Sequence, residues 1–314
     1  MAVLKLINHE TVLTAVTPQQ AIEYVHDGFV HYASGDWAMP AKVYLDAPPH
    51  GDFRAMPARG DGLAMIKWVT SFPDNPARGL PTVTGLIIVS DAETGEPLAL
   101  VDGRAVTALR TGAVAAVASR AIARPDARTV GVIGCGLHGK WVVRCMAAAG
   151  YGPGVCYDDD PAAATGLANE LGWRAVGLSE AAACDVVCTV TPGAAPVLDA
   201  DHLRAGTHIN ALGADGPGKA ELTPAALARC ELFCDEWEQA SHGGELAAAA
   251  KSGLVARGDV TELGWLLTGV QNSRDSQAIT LFDSTGLAIQ DLAICAELIT
   301  QLRAGELELP TVVI

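Results

Sequence analysis

A chain of 314 residues, half of them apolar, is long enough for two domains with well-filled cores, and its 5% aromatic content suits alanine-lined helices packed closely on a sheet. A formal net charge of −15 excludes a general affinity for nucleic-acid backbones, which needs clustered Lys and Arg. No membrane partner is expected, because the start MAVLKLINHETVLTAV lacks a basic region ahead of a long apolar core and no segment reads as a span of about 20 apolar residues. Eight cysteines with neither CxxC pairs nor clustered histidines read as reduced thiols, so no metal is expected and a cytoplasmic location is the default.

In chain order, TPQQAIEYVHDGFVHYASGD predicts an amphipathic helix with Thr17 as N-cap, Pro18 in its first turn and Ala21, Ile22, Val25, Phe29 and Val30 on one face. LAMIKWVTSF, TVTGLIIVSD and PLALVDG read as strands joined by turns, which implies antiparallel connections. AVTALRTGAVAAVASRAIARP then gives an alanine-rich helix stopped by Pro125. Beyond it TVGVIG, GVCYD, DVVCTVT, THINAL, ELFCDE and AITLFDS alternate with helix-length segments, the pattern of a parallel sheet with crossover helices. The final TGLAIQDLAICAELITQLRAG predicts a helix that returns to the first domain. The fold class is therefore α/β, a doubly wound Rossmann sheet over 118–287 plus a discontinuous α+β domain made of 1–117 and 288–314.

Within TVGVIGCGLHGKWVV, Gly134, Gly136 and Gly139 form a G-x-G-x-x-G loop between a β-branched strand and a helix. The first glycine permits the tight turn, the second lets a pyrophosphate approach the backbone, and the helix start supplies amide donors. Asp158 ends the next strand, where a carboxylate binds ribose hydroxyls and repels a 2′-phosphate, favouring NAD over NADP. Lys42, Arg54 and Lys67 are three early cations that could hold a small carboxylate if they converge. Lys67 lies in an apolar strand, where a bare ammonium costs several kcal/mol unless it meets an anion, although a lysine snorkelling from an edge strand reads equally well. Arg110 could fork onto a pyrophosphate or simply line a helix surface. His138 and His242 read as loop histidines. Asp283 and Ser284 close a strand, and Asp283 could cap the helix that follows. In ALGADGPGKAEL, Asp215 and Lys219 stand four apart in a turn-rich stretch that leaves the carboxyl end of a strand, the ligand side of an open parallel sheet.

The segments FRAMPA, IKWVTSFPDNPARGLPTV, LVDGRAVTALRTGA, VGVIGCG, INALGADGPGKAEL, EQASHGGE and ITLFDSTGLAIQD resemble, in order and nearly end to end, the ornithine cyclodeaminase/mu-crystallin family, most of all its archaeal-type alanine dehydrogenase branch. The resemblance implies a homodimer, with a substrate and dimerisation domain around an NAD-binding Rossmann domain. It implies Lys67 as the catalytic, substrate-contacting lysine, Lys42 as a carboxylate ligand and Asp215 as general acid/base. Thr82, Arg110, Leu137, His138, Asp158, Thr191, Leu212, Gly213, Lys219 and Ser284 match positions around the dinucleotide, with Asp215 aimed at substrate and Lys219 at cofactor. Leu137 and His138 depart from the family's common Ala/Thr-Gln pair. Arg54 departs from the Glu of ornithine cyclodeaminases, and a cation there repels a distal substrate ammonium by on the order of 1 kcal/mol or more. The expected function is an NAD-dependent amino acid dehydrogenase or imine reductase acting on a small 2-amino acid and its 2-oxo acid or imine. The alternatives are an ornithine- or lysine-type cyclodeaminase releasing ammonia with catalytic NAD, and a crystallin-like cofactor binder without turnover.

Overall fold

A computed structural model describes residues 3–193, 195–216, 218–269 and 275–313. The chain forms two compact units, residues 1–110 with 287–314, and residues 111–286. The dividing line falls inside the alanine-rich helix, before Thr111, where the sequence pattern placed it after that residue, at 117/118.

The first unit contains β1 (Val3–Ile7), α1 (His9–Ala15), α2 (Pro18–Ala33), β2 (Val43–Ala47), β3 (Gly51–Gly60), β4 (Leu63–Ser71), β5 (Val83–Asp91), β6 (Pro97–Asp102) and the start of α3 (Gly103–Ile122). Thr17 caps α2 in a reciprocal box with Gln20, as the sequence implies. The strands form one sheet in the order β15-β1-β6-β5-β4-β3-β2, where the closing strand β15 is Thr311–Val313. All its pairings are antiparallel except β1 with β6. The C-terminal helix α11 (Ala288–Ala304) belongs to this unit and packs against α2. A side chain at Gly28 of α2 would stand 3.3 Å from the Ala293 methyl, so small residues set this close approach.

Strand alternation gives the sheet two unlike faces. On β4, Leu63, Met65, Lys67, Val69 and Ser71 are buried, while Ile66 and Trp68 are 39% and 43% exposed. Leu86 and Ile88 of β5 pair with Trp68 and Ile66 and are 52% and 43% exposed, making an apolar outer face.

The second unit holds the rest of α3, then β7 (Val130–Ile133), α4 (Leu137–Ala148), β8 (Val155–Tyr157), α5 (Pro161–Leu171), β9 (Arg174–Ala175), α6 (Leu178–Ala181), β10 (Val186–Thr189) and β11 (His208–Ala211). It continues with α7 (Pro224–Leu227), β12 (Cys230–Cys234), α8 (Trp237–Gly243), α9 (Ala247–Lys251), β13 (Val260–Glu262), α10 (Leu263–Leu267) and β14 (Ile279–Asp283). Its sheet is parallel throughout, in the order β13-β12-β14-β11-β10-β7-β8-β9. The chain leaves β7 toward β8 and β9, then crosses back to β10 and β11, so the switch point lies between β7 and β10. Ligands of doubly wound sheets occupy the crevice at the carboxyl ends of such strands. The six strands legible in the sequence are all present, and the short edge strands β9 and β13 are additional.

The α3 helix corrects one expectation. Its 20 residues are long and apolar enough to cross a membrane, yet 89% of the apolar window is buried inside the protein. A helix apolar all round is a core helix when it is covered in this way.

Candidate functional site

In the second unit the glycine loop has the geometry a dinucleotide requires. Gly134 has φ +106°, and a Cβ there would lie 2.7 Å from the Val190 carbonyl oxygen. A Cβ on Gly139 would sit 2.0 Å from the Gly134 oxygen, so the approach of α4 to β7 depends on its absence. At Gly136 a Cβ would meet nothing within 4 Å, which leaves open space beside the first turn of α4, where Leu137 and His138 lie. Turn, close packing and open approach thus fall on the three glycines as phosphate binding demands.

Asp158 directly follows β8 and turns back to the loop. One carboxylate oxygen accepts from the Cys135 amide at 2.7 Å and the other from the Asp160 amide at 2.9 Å. Each oxygen keeps a second lone pair for a ribose hydroxyl. Thr191, Leu212 with Gly213, and Ser284 follow β10, β11 and β14, and so stand at the carboxyl ends of parallel strands. Asp215 and Lys219 meet each other at 2.5 Å. Their i,i+4 spacing lets the carboxylate and the ammonium pair. Pro217, between them, lies outside the described residues. Asp283 holds the amide of Leu246 at 3.0 Å, ahead of α9, and not the helix that follows it in sequence.

In the first unit Arg54 and Lys67 share a sheet face. Tyr44, Arg54 and Val69 lie in register across β2, β3 and β4, and Met56 pairs with Lys67 one step along. Arg54 is buried, makes two hydrogen bonds to Asp52 at 2.6 and 3.2 Å, and lies over the Tyr44 ring. Lys42 is half-buried just before β2. Thr82 precedes β5, its carbonyl accepting from the Phe72 amide.

Lys67 is 1% exposed, which settles its sequence alternatives in favour of the core. Its Nζ lies 2.5 Å from Asp291 Oδ2 and 3.3 Å from the Thr107 hydroxyl. The other Asp291 oxygen is 3.4 Å from Arg110 Nε, and Arg110 donates through Nη1 to Gln290 at 3.1 Å. Arg110, assigned by resemblance to the cofactor, is here one wall of the Lys67 cluster. Two buried cations therefore face one carboxylate, and Gln290 Nε2 is a buried donor with no acceptor among the described residues. A site with surplus positive charge and an unused donor suits an incoming carboxylate.

Burial lowers the Lys67 pKa to about 8; Asp291 opposes the shift and Arg110 adds to it. Between pH 8 and 10.5 the unfolded chain binds more protons at this group than the folded one, so this contribution to stability rises with pH across that window and is a cost below it. Asp291 and Gln290 were not singled out from sequence. The available signal was an acid and an amide in the first turn of an otherwise apolar helix. Replacing Asp291 by Asn should destabilise the fold by about 3–5 kcal/mol at pH 7, since two buried cations lose their counter-charge. Urea unfolding reads this directly, and a loss below about 1 kcal/mol would show that Asp291 is not the counter-ion that holds them.

Residues 3–305 match the family model described as the ornithine cyclodeaminase/mu-crystallin family. The chain belongs to that family. The alanine dehydrogenase of Archaeoglobus fulgidus is 41% identical over 297 residues, covering 92% of each chain. An ornithine cyclodeaminase of Agrobacterium tumefaciens is 33% identical over 254 residues, 77% of this chain and 70% of its own. Among solved structures, an archaeal alanine dehydrogenase dimer with bound NAD is similar with a TM-score of 0.93 and 38% identity, over 99% of both chains.

Proposed function

We propose that this family member is an NAD-dependent oxidoreductase that interconverts a small 2-amino acid with its imine and 2-oxo acid. The observation that carries this reading is the buried Lys67–Asp291–Arg110 cluster, whose surplus cation and unused donor fit a substrate carboxylate. Gly134, Gly136, Gly139 and Asp158 would hold the dinucleotide, with Leu137, His138, Thr191, Leu212, Gly213, Lys219 and Ser284 around it and Thr82 and Arg110 at its margin. When bound, NAD supplies hydride exchange at the substrate α-carbon.

The chain's own residues supply binding and proton transfer. Lys67, with Lys42 and Arg54, fixes the carboxylate and so orients the α-carbon. Adding water to an imine, and expelling ammonia, requires a base and an acid poised near neutrality. Asp215 takes the proton of the attacking water. Lys67 stabilises the oxygen that gains negative charge, or gives it a proton, which its lowered pKa makes accessible.

Screening NADH consumption with pyruvate, glyoxylate, longer 2-oxo acids and cyclic imines, each with and without ammonia, tests the reading. At least one small substrate should support turnover. Binding of NAD without turnover of any of them would favour a crystallin-like binder. The cyclodeaminase alternative is disfavoured by Arg54, a buried guanidinium on the Lys67 face of the sheet and paired with Asp52, which stands where the resemblance gives ornithine cyclodeaminases a Glu and so offers no free carboxylate to the second ammonium of a diamino acid.

Assembly as a homodimer through the outer face of the first unit's sheet is part of the proposal, as is a cytoplasmic location. Exposed Ile66, Trp68, Leu86 and Ile88 form an apolar patch of the kind that marks an interface. Light scattering should give a dimer for the wild type and a monomer for the Ile66→Glu/Leu86→Glu double variant. A dimer that survives both charges would place the interface elsewhere.

A further inference from the structure

The loop carrying Asp215 and Lys219 leaves β11 at Leu212 and ends at Glu221. That last residue is fully buried and plays no part in the chemistry above. Its carboxylate accepts four hydrogen bonds. Oε2 takes the Thr189 hydroxyl at 2.7 Å and the Gly213 amide at 2.7 Å; Oε1 takes the Thr191 amide at 2.7 Å and the Thr191 hydroxyl at 2.8 Å. One side chain therefore joins the exit of the Asp215 loop to its entry and also to the loop after β10. A Cβ on Gly213 would stand 2.6 Å from Glu221 Oε1, so that glycine is what lets the carboxylate reach the loop's base.

Glu221 is itself fixed. Its amide and that of Leu222 donate to the buried Glu245 at 2.8 Å each, and its carbonyl accepts from Val197 and Leu198. Burial raises the Glu221 pKa and the four donors oppose that rise. Two of those donors are peptide N–H groups, which can only donate, so each carboxylate oxygen has to serve as an acceptor.

We infer that Glu221 is a positioning residue, whose carboxylate clasps the Asp215–Lys219 loop to the Thr191 loop and thereby sets where Asp215 delivers its proton transfer. The inference rests on the acid/base role proposed for Asp215. Glu221 touches no reacting atom in this scheme. It acts by holding two loops that would otherwise move independently, and displacement of a catalytic group by about 1 Å is enough to cost turnover about 100-fold.

The test is Glu221→Gln, in which the amide nitrogen cannot accept from a peptide N–H, so one loop loses its anchor while side-chain volume is kept. The expected result is a fall in kcat of about 10- to 100-fold, at least tenfold larger than any loss of NAD affinity measured without substrate, because the glycine loop and Asp158, which follow β7 and β8, keep their grip on the dinucleotide while only its Thr191 and Gly213 neighbours are released. Hydrogen exchange at the amides of residues 211–216 should quicken while those of β7 stay protected. Turnover within twofold of wild type, or parallel loss of NAD binding and turnover, would overturn the inference. Should Glu221→Gln not fold, Glu221→Asp keeps the charge but is too short to reach both loops, and the same outcomes apply. Asp215→Asn, run alongside, separates the two levels. Wild-type turnover in that variant defeats the acid/base reading itself, whereas an inactive Asp215→Asn beside a fully active Glu221→Gln defeats only the clasp.

Discussion

Replacing Lys67 by arginine should lower kcat/KM by about 100- to 1,000-fold and remove a pH inflection near 8. The direction follows from the site. Below pH 8 the Lys67 ammonium is charged and can hold a carboxylate and give up a proton; as pH rises through about 8 it becomes neutral and both abilities fade. The rate of reducing a preformed imine should therefore fall across that point in the wild type. A guanidinium stays protonated throughout, so the variant retains charge but neither the fit beside Asp291 nor the exchangeable proton. Its profile should be flat through pH 8 at the lower level. If the inflection persisted unchanged in Lys67→Arg, the titrating group would be another residue, and Lys67 would be a binding cation alone.

Asp215→Asn should lower turnover by about 100- to 10,000-fold, the range for loss of a general acid/base, with the dissociation constant for NAD largely unchanged. Asparagine keeps the shape and can still meet Lys219 through its carbonyl oxygen, but it cannot take a proton from water. Titration of the protein with NAD, followed by single-turnover kinetics, separates the two effects. Retained turnover would return ADGPGK to being a turn between a strand and a helix.

What was legible in the sequence was local. The alternation of short apolar strands with helices after Pro125 specified a parallel sheet, and the Thr17–Gln20 box fixed the start of α2. Glycine spacing picked out the loop between β7 and α4, because Gly134 and Gly139 each answer a contact a few residues away or beside the neighbouring strand, while Gly136 faces open space. The counter-ion of Lys67 was not legible, because Asp291 lies 224 residues away on a helix whose return to the first unit fixes the pair. The contacts of Arg110 with Asp291 and Gln290 were hidden for a related reason. A helix as uniformly apolar as α3 gives no amphipathic stripe from which to tell which of its polar residues turn inward. Glu221 escaped notice because its significance is a set of hydrogen bonds to the ends of two strands, β10 and β11, which no sequence period reveals. The division inside α3 was hidden too, since one continuous helix serves both units.

In the proposed reaction, cofactor oxidation and amino acid formation are coupled one to one. The most direct test supplies purified protein with NADH, ammonia and the 2-oxo acid that supports the fastest turnover, and measures the amino acid formed against NADH consumed. One amino acid per NADH, with no ammonia released from ornithine or lysine when NAD is catalytic, is the predicted result. Ammonia release from a diamino acid with catalytic NAD and no net change in NADH would contradict it and make the protein a cyclodeaminase.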